Sequence, residues 1–131
     1  MTAGDMNEIE ANIRRSLDSY KAAETLLHNG YPDYAASRAY YAAFYAVSAL
    51  LASKDFFFRK HSAIISSFHR EFIKTSLLDI KYGQMLNELF ELRAIGDYGE
   101  VRHVGEQEAQ KAIDYAREIH NAVSTYLKNT C

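Results

Sequence analysis

Arg93 and Asp97 stand four residues apart in the run Arg93-Ala-Ile-Gly-Asp-Tyr98. On a helix that spacing puts both side chains on one face. A guanidinium oriented by a carboxylate, with the Tyr98 phenol beside it, can clamp a phosphate, because it is always charged and donates in a planar fork. The same spacing also describes a plain intrahelical ion pair worth about 0.2–0.5 kcal/mol. A second group is Arg59-Lys60-His61-Ser62. If a helix begins there, its free N–H groups and the basic side chains favour an anion. His61 can instead cap that helix or pack against the nearby phenylalanines. Arg102-His103 is a third pair, and on a helix its two side chains diverge.

Other residues invite blander readings. His28 and His120 fall near expected helix C-termini, where a histidine suits the helix dipole, and both are read as structural. No histidine pair has metalloprotease spacing, and no calcium loop, zinc ribbon or phosphate-binding glycine loop is present in the sequence. No metal and no cofactor is expected. Tyr34, Tyr40, Tyr41 and Tyr45 favour core packing with paired hydroxyls. Tyr41 and Tyr45 share a face, and one or two of the four, Tyr41 among them, are candidates to line a nucleotide-facing cleft.

These groups must be positioned by something, and one stretch stands out: Tyr34 to Ala52, apolar almost all the way round. Its polar members are Ser37, Arg38, Ser48 and the tyrosine hydroxyls. A helix without a polar stripe is a buried one, with neighbours on several sides. It is about as long as a membrane span, but Arg38 and the phenols would be costly in hydrocarbon, so no membrane association is expected. Ahead of it, Ile9, Ile13, Leu17, Tyr20, Ala23, Leu26 and Leu27 keep helical spacing. Asp5 with Glu8 suggests the cap of that first helix, and Asn29-Gly30 its end. Pro32 suits the first turn of the central helix. Lys54 to Lys60 reads as a connection, whose Phe56-Phe57-Phe58 must be covered by this chain or a second copy.

A third helix starts near His61 or Ser62, with Ile64, Ile65, Phe68, Phe72 and Ile73 on one face. A loop follows around Ser76 to Lys81. A fourth helix carries Met85, Leu86, Leu89, Phe90 and Leu92 into Arg93 and on toward Tyr98, with Gly96 and Gly99 loosening its end. After a break at Gly105, Ala109, Ile113, Ala116, Ile119, Val123 and Tyr126 or Leu127 mark the last helix. The expected architecture is all-α: an up-and-down bundle of about five helices around a buried central one, a single domain over residues 1–131.

Composition agrees with a globular domain of 131 residues, 48% hydrophobic and 24% charged. A net charge of −2 argues against a strongly basic nucleic-acid scaffold. Yet the middle of the chain is basic: between 54 and 74, Lys54, Arg59, Lys60, Arg70 and Lys74 outnumber Asp55 and Glu71. The one cysteine, Cys131, cannot form an intramolecular disulfide. The polar, acidic N-terminus does not read as a signal peptide, so a cytoplasmic location is the default.

Taken together, Asp33-Tyr-Ala-Ala-Ser-Arg-Ala-Tyr-Tyr-Ala-Ala-Phe-Tyr-Ala46, then Lys60-His61-Ser62, then Arg93-x-x-x-Asp97-Tyr98, resemble the HEPN family, in its short stand-alone prokaryotic branch. The resemblance spans roughly Ile9 to Leu127. It implies a helical bundle, a homodimer, and a nucleotidyltransferase partner in a toxin–antitoxin module or a modifying system. It also implies RNA or nucleotide as ligand; the phosphate-binding candidates read from the residues are Arg93, Asp97, Arg59, Lys60 and Tyr41. Active members of the family are metal-independent ribonucleases with an arginine, then four to six residues, then a histidine. Here Arg93 matches the arginine, but Tyr98 stands where the histidine could appear, and His103 is ten residues away. A phenol of ordinary acidity is ionised to about one part in a thousand at pH 7. Three readings follow. The chain is a phosphate-binding partner whose ribonuclease histidine is replaced; or an active ribonuclease using Arg93 with a displaced His61 or His103; or a non-catalytic helical interaction module. Arg93, Tyr98, His61 and His103 are the catalytic candidates.

Overall fold

The computed structural model describes residues 3–130. Five α-helices follow one another: α1 (Ala3–His28), α2 (Pro32–Ala52), α3 (His61–Phe68), α4 (Ile80–Tyr98) and α5 (Glu106–Thr130). There is no strand among the described residues, and no helix among them is long and apolar enough to cross a membrane. The all-α bundle expected from the sequence is the fold found.

α2 is its axis. α1, α4 and α5 pack against it, and α3 touches it near its C-terminal half. Seven alanines, Ala35, Ala36, Ala39, Ala42, Ala43, Ala46 and Ala49, are fully buried, so neighbouring backbones come close on several sides. Val47, Leu50 and Leu51 fill the remaining space against Phe68, Phe72, Leu86, Leu89, Ile113 and Val123, all nearly without exposure. Between Ala35 and Ala52 only Arg38, Tyr41, Phe44, Tyr45 and Ser48 are not buried. These five positions step by three or four residues and therefore form one stripe along the helix.

Several local expectations need correcting. α1 already contains Ala3, so Asp5 lies inside the helix rather than capping it. Cys131 lies outside the described residues. His120 sits in the body of α5, not at a C-terminus; its buried Nδ1 is 2.8 Å from Ser16 Oγ of α1. It is structural by tying two helices together, whereas His28 does occupy the last turn of α1. The third helix ends at Phe68 and passes into a π turn, His69–Ile73. The wider turn buries Phe72 beside Phe68, with ring centroids 6.2 Å apart.

Gly96 does not loosen α4, which continues to Tyr98. A Cβ at Gly96 would lie 2.5 Å from the Asp33 carbonyl oxygen, so this glycine lets α4 meet the start of α2 backbone to side. The helix then ends, as expected, at Gly99. Phe56 packs on the core, but Phe57 and Phe58 remain 50% and 36% exposed, so this chain alone does not cover them.

Candidate functional site

The α2–α4 contact brings Arg93 onto the partly exposed stripe of α2. Its Nη2 donates to Tyr41 Oη at 3.0 Å. Its Nε lies 2.9 Å from Asp97 Oδ2, the i,i+4 partner read from the sequence. That N–H is not aimed at the carboxylate and has no acceptor, so the contact is charge against charge rather than a hydrogen bond. The guanidinium carbon sits 5.6 Å from the ring centroids of Tyr40 and Tyr41 and 5.5 Å from that of Tyr98. Three electron-rich faces thus surround one cation. The Arg93 side chain keeps 18% of its exposure and Asp97 25%, while Tyr98 is 70% exposed. The cation is collared, not standing free at an open furrow. Burial works against its charge, but the Tyr41 and Tyr98 phenols and the Asp97 carboxylate outweigh it and raise its pKa.

His61 joins this group from α3, although it is 32 residues from Arg93 in sequence. Its ring stacks on Phe44 at 4.0 Å and lies 6.0 Å from Tyr40 and 5.8 Å from Tyr41. It packs on a central-helix phenylalanine rather than on Phe56 to Phe58 or as a cap. His61 Nδ1 is 3.1 Å from Tyr40 Oη. When Nδ1–H donates to that oxygen, the Nε2 lone pair is left to accept a proton. Burial, reinforced by the charge of Arg93, lowers the His61 pKa, so the ring is neutral near pH 7. Burial pushes the Tyr40 phenol up to about 12, with Arg93 working against that rise.

The other candidates stand differently. His103 hydrogen-bonds Asp33 Oδ2 through Nδ1 at 2.8 Å and its side chain is 62% exposed. Val104 N–H donates to the other Asp33 oxygen at 2.7 Å. Asp33 thereby ties the 99–105 connection to the start of α2, and no contact joins His103 to Arg93. Arg102 pairs with Glu108 at 2.9 Å on the surface. Arg59 and Lys60 are exposed; Lys60 is the N-cap residue of α3 but makes no side-chain cap. Arg59 does border a cleft of about 270 Å³ that opens beside His61, between Phe44, Tyr45, Ser48 and Phe56 to Phe58.

Sequence reading passed over three members of the group. Tyr40 links His61 to Arg93, Phe44 seats His61, and Arg38 lies over the Tyr41 ring at 4.7 Å. Arg38 carried a usable signal: it is the only charge between Tyr34 and Ala52, three residues from Tyr41. Nothing local flags Tyr40 against its neighbour Tyr41; packing buries Tyr40 fully and leaves Tyr41 partly exposed.

The arginine, the tyrosines and the aspartate that the sequence pattern singled out thus occupy one place. The HEPN domain model matches residues 9–126 of this chain. The chain belongs to the HEPN family. Relatives cover it nearly end to end. A Thermotoga maritima "UPF0332 protein" is 38% identical over 128 residues, 95% of this chain and 97% of its own length. A Methanocaldococcus jannaschii protein named "Putative toxin MJ0142" is 34% identical over 120 residues, 92% of this chain and 82% of its own. A second protein from that organism, "Putative toxin MJ0605", is 31% identical over 121 residues, 92% of this chain and 90% of its own. In this HEPN chain, then, Arg93 and His61 come from different helices and bond to adjacent tyrosines of the central one.

Proposed function

We propose that this HEPN chain is the RNA-phosphate-binding component of a toxin–antitoxin module, acting beside a nucleotidyltransferase partner. The observation that carries the reading is the collar itself: Arg93 held by Tyr41 and Asp97 within three tyrosine rings. Such a guanidinium is fixed in place, so little ordering remains when a phosphate oxygen meets its forked donors. The toxin-like names of two relatives support the module. A second copy of the chain covers Phe57 and Phe58 in this reading, because isologous pairing is the commonest way to hide such a face. Expression of the wild-type chain in a bacterial host tests it. Growth should slow, recover when a neighbouring nucleotidyltransferase is co-expressed, and stay normal with Arg93→Ala. Normal growth with the wild type, or equal slowing with Arg93→Ala, would reject it.

The place of His61 favours a second reading, a metal-independent endoribonuclease. Arg93 would hold the scissile phosphate while His61 Nε2 takes the proton of the ribose 2′-hydroxyl. The 2′-oxygen bonds to phosphorus, the bond to the 5′-oxygen breaks, and a 2′,3′-cyclic end results, with a proton passing to the departing oxygen. Positioned acid–base groups contribute about 10²–10⁴-fold. Purified protein should cleave RNA in excess chelator, at least about a hundredfold slower as His61→Ala, and unchanged as His103→Ala. Uncleaved RNA would leave the binding reading alone in place.

A further inference from the structure

We infer that the partly exposed stripe of α2, from Arg38 to Ser48, is a subsite for the nucleotides flanking the phosphate at Arg93; this rests on the RNA-binding reading above. Between Ala35 and Ala52 the rest of α2 is buried, so along that length solvent reaches the helix only at this partly exposed stripe. From its first residue to its last it rises about 15 Å along the helix.

What the stripe carries is cations alternating with rings. Arg38 and Arg93 contact the same Tyr41 ring, at 4.7 Å and 5.6 Å, from α2 and α4. Asp97 offsets the charge of Arg93, whereas Arg38 pairs with no carboxylate among the described residues. Farther along, Arg15 of α1 lies over Tyr45 at 5.7 Å and is likewise without an acidic partner among those residues. Phe44 and Tyr45 then line the cleft of about 270 Å³ with Arg59 at its edge. Guanidinium groups interleaved with aromatic faces are what a single strand needs: charge for successive phosphates and flat surfaces for unpaired bases. A duplex hides its bases and gains nothing from the rings. Glu8, on the cleft wall, opposes phosphate there and instead offers an acceptor to the amino edge of a base.

The test is the salt dependence of binding to a labelled single-stranded RNA whose 2′-hydroxyls are methylated to prevent cleavage. Variants are the wild type, Arg93→Ala, Arg38→Gln, Arg38→Lys and Arg15→Gln, each checked for an unchanged melting curve. Each lost phosphate contact lowers the slope of log affinity against log salt by about 0.7 for a single strand. Arg38→Gln and Arg15→Gln should each show that drop, and Arg38→Lys, which keeps its charge, should restore the wild-type slope. Wild-type slopes in both glutamine variants, with binding weakened by Arg93→Ala, would overturn the subsite and leave the Arg93 reading standing. No effect of Arg93→Ala would overturn both.

Discussion

A single cation, Arg93, stands among three tyrosine rings, and its neighbours limit what it can do. His61 is neutral near pH 7 because burial and Arg93 both disfavour its charged form. If it serves as a base, activity should fall only as pH drops below the ordinary histidine range, about 6.5. An acid limb above that value in a pH–rate profile would exclude His61. His120 responds to pH through stability. Burial lowers its pKa, so below about 6.5 the unfolded chain binds a proton that the folded chain resists. Stability is therefore full above that pH and declines as pH falls through it. His61 adds to the same trend. Thermal unfolding midpoints between about pH 7 and pH 5 should show it, and His120→Gln should flatten it. Ser16→Ala would leave His120 Nδ1 buried without its partner, at a cost of about 1–3 kcal/mol in denaturant unfolding.

At the scale of elements, α2 is both the core and the floor of the site. Ala43 has no exposure, and Ala43→Leu should cost about 1–3 kcal/mol or more by overpacking. Gly96→Ala should also destabilise, since its Cβ would meet a backbone carbonyl that cannot swing aside. Differential scanning calorimetry of the two variants measures both. Much of this was legible in the sequence. The missing polar stripe of Tyr34–Ala52 announced the buried axis, and periodic Ile, Leu and Phe announced its neighbours. The ends were harder: Gly96 looked like a weak point because a glycine's local cost is visible in sequence and its close partner, Asp33, is not. The same limit governed the site. Arg93, Asp97 and Tyr98 lie within one helix and share a local spacing, so they could be read together. His61 and His103 were equal candidates until tertiary packing seated one ring on Phe44 and hydrogen-bonded the other to Asp33.

At the scale of the whole molecule, the half-buried aromatic residues and the candidate site share one region of the bundle. Half-exposed Phe57 and Phe58 stand next to the cleft that holds His61, so pairing of two copies there would bring two sites near one another. Sedimentation at micromolar concentration should show a dimer, and Phe57→Ser with Phe58→Ser should shift it toward monomer. A wild-type monomer would contradict that pairing. The measurement closest to the central claim is the affinity for a single-stranded RNA of the wild type, Arg93→Ala and the surface control Arg102→Ala. Loss of a charge-assisted contact worth about 1.5–3 kcal/mol should weaken Arg93→Ala by about tenfold or more, with Arg102→Ala like the wild type. Equal affinities for all three would show that the collared guanidinium does not bind phosphate.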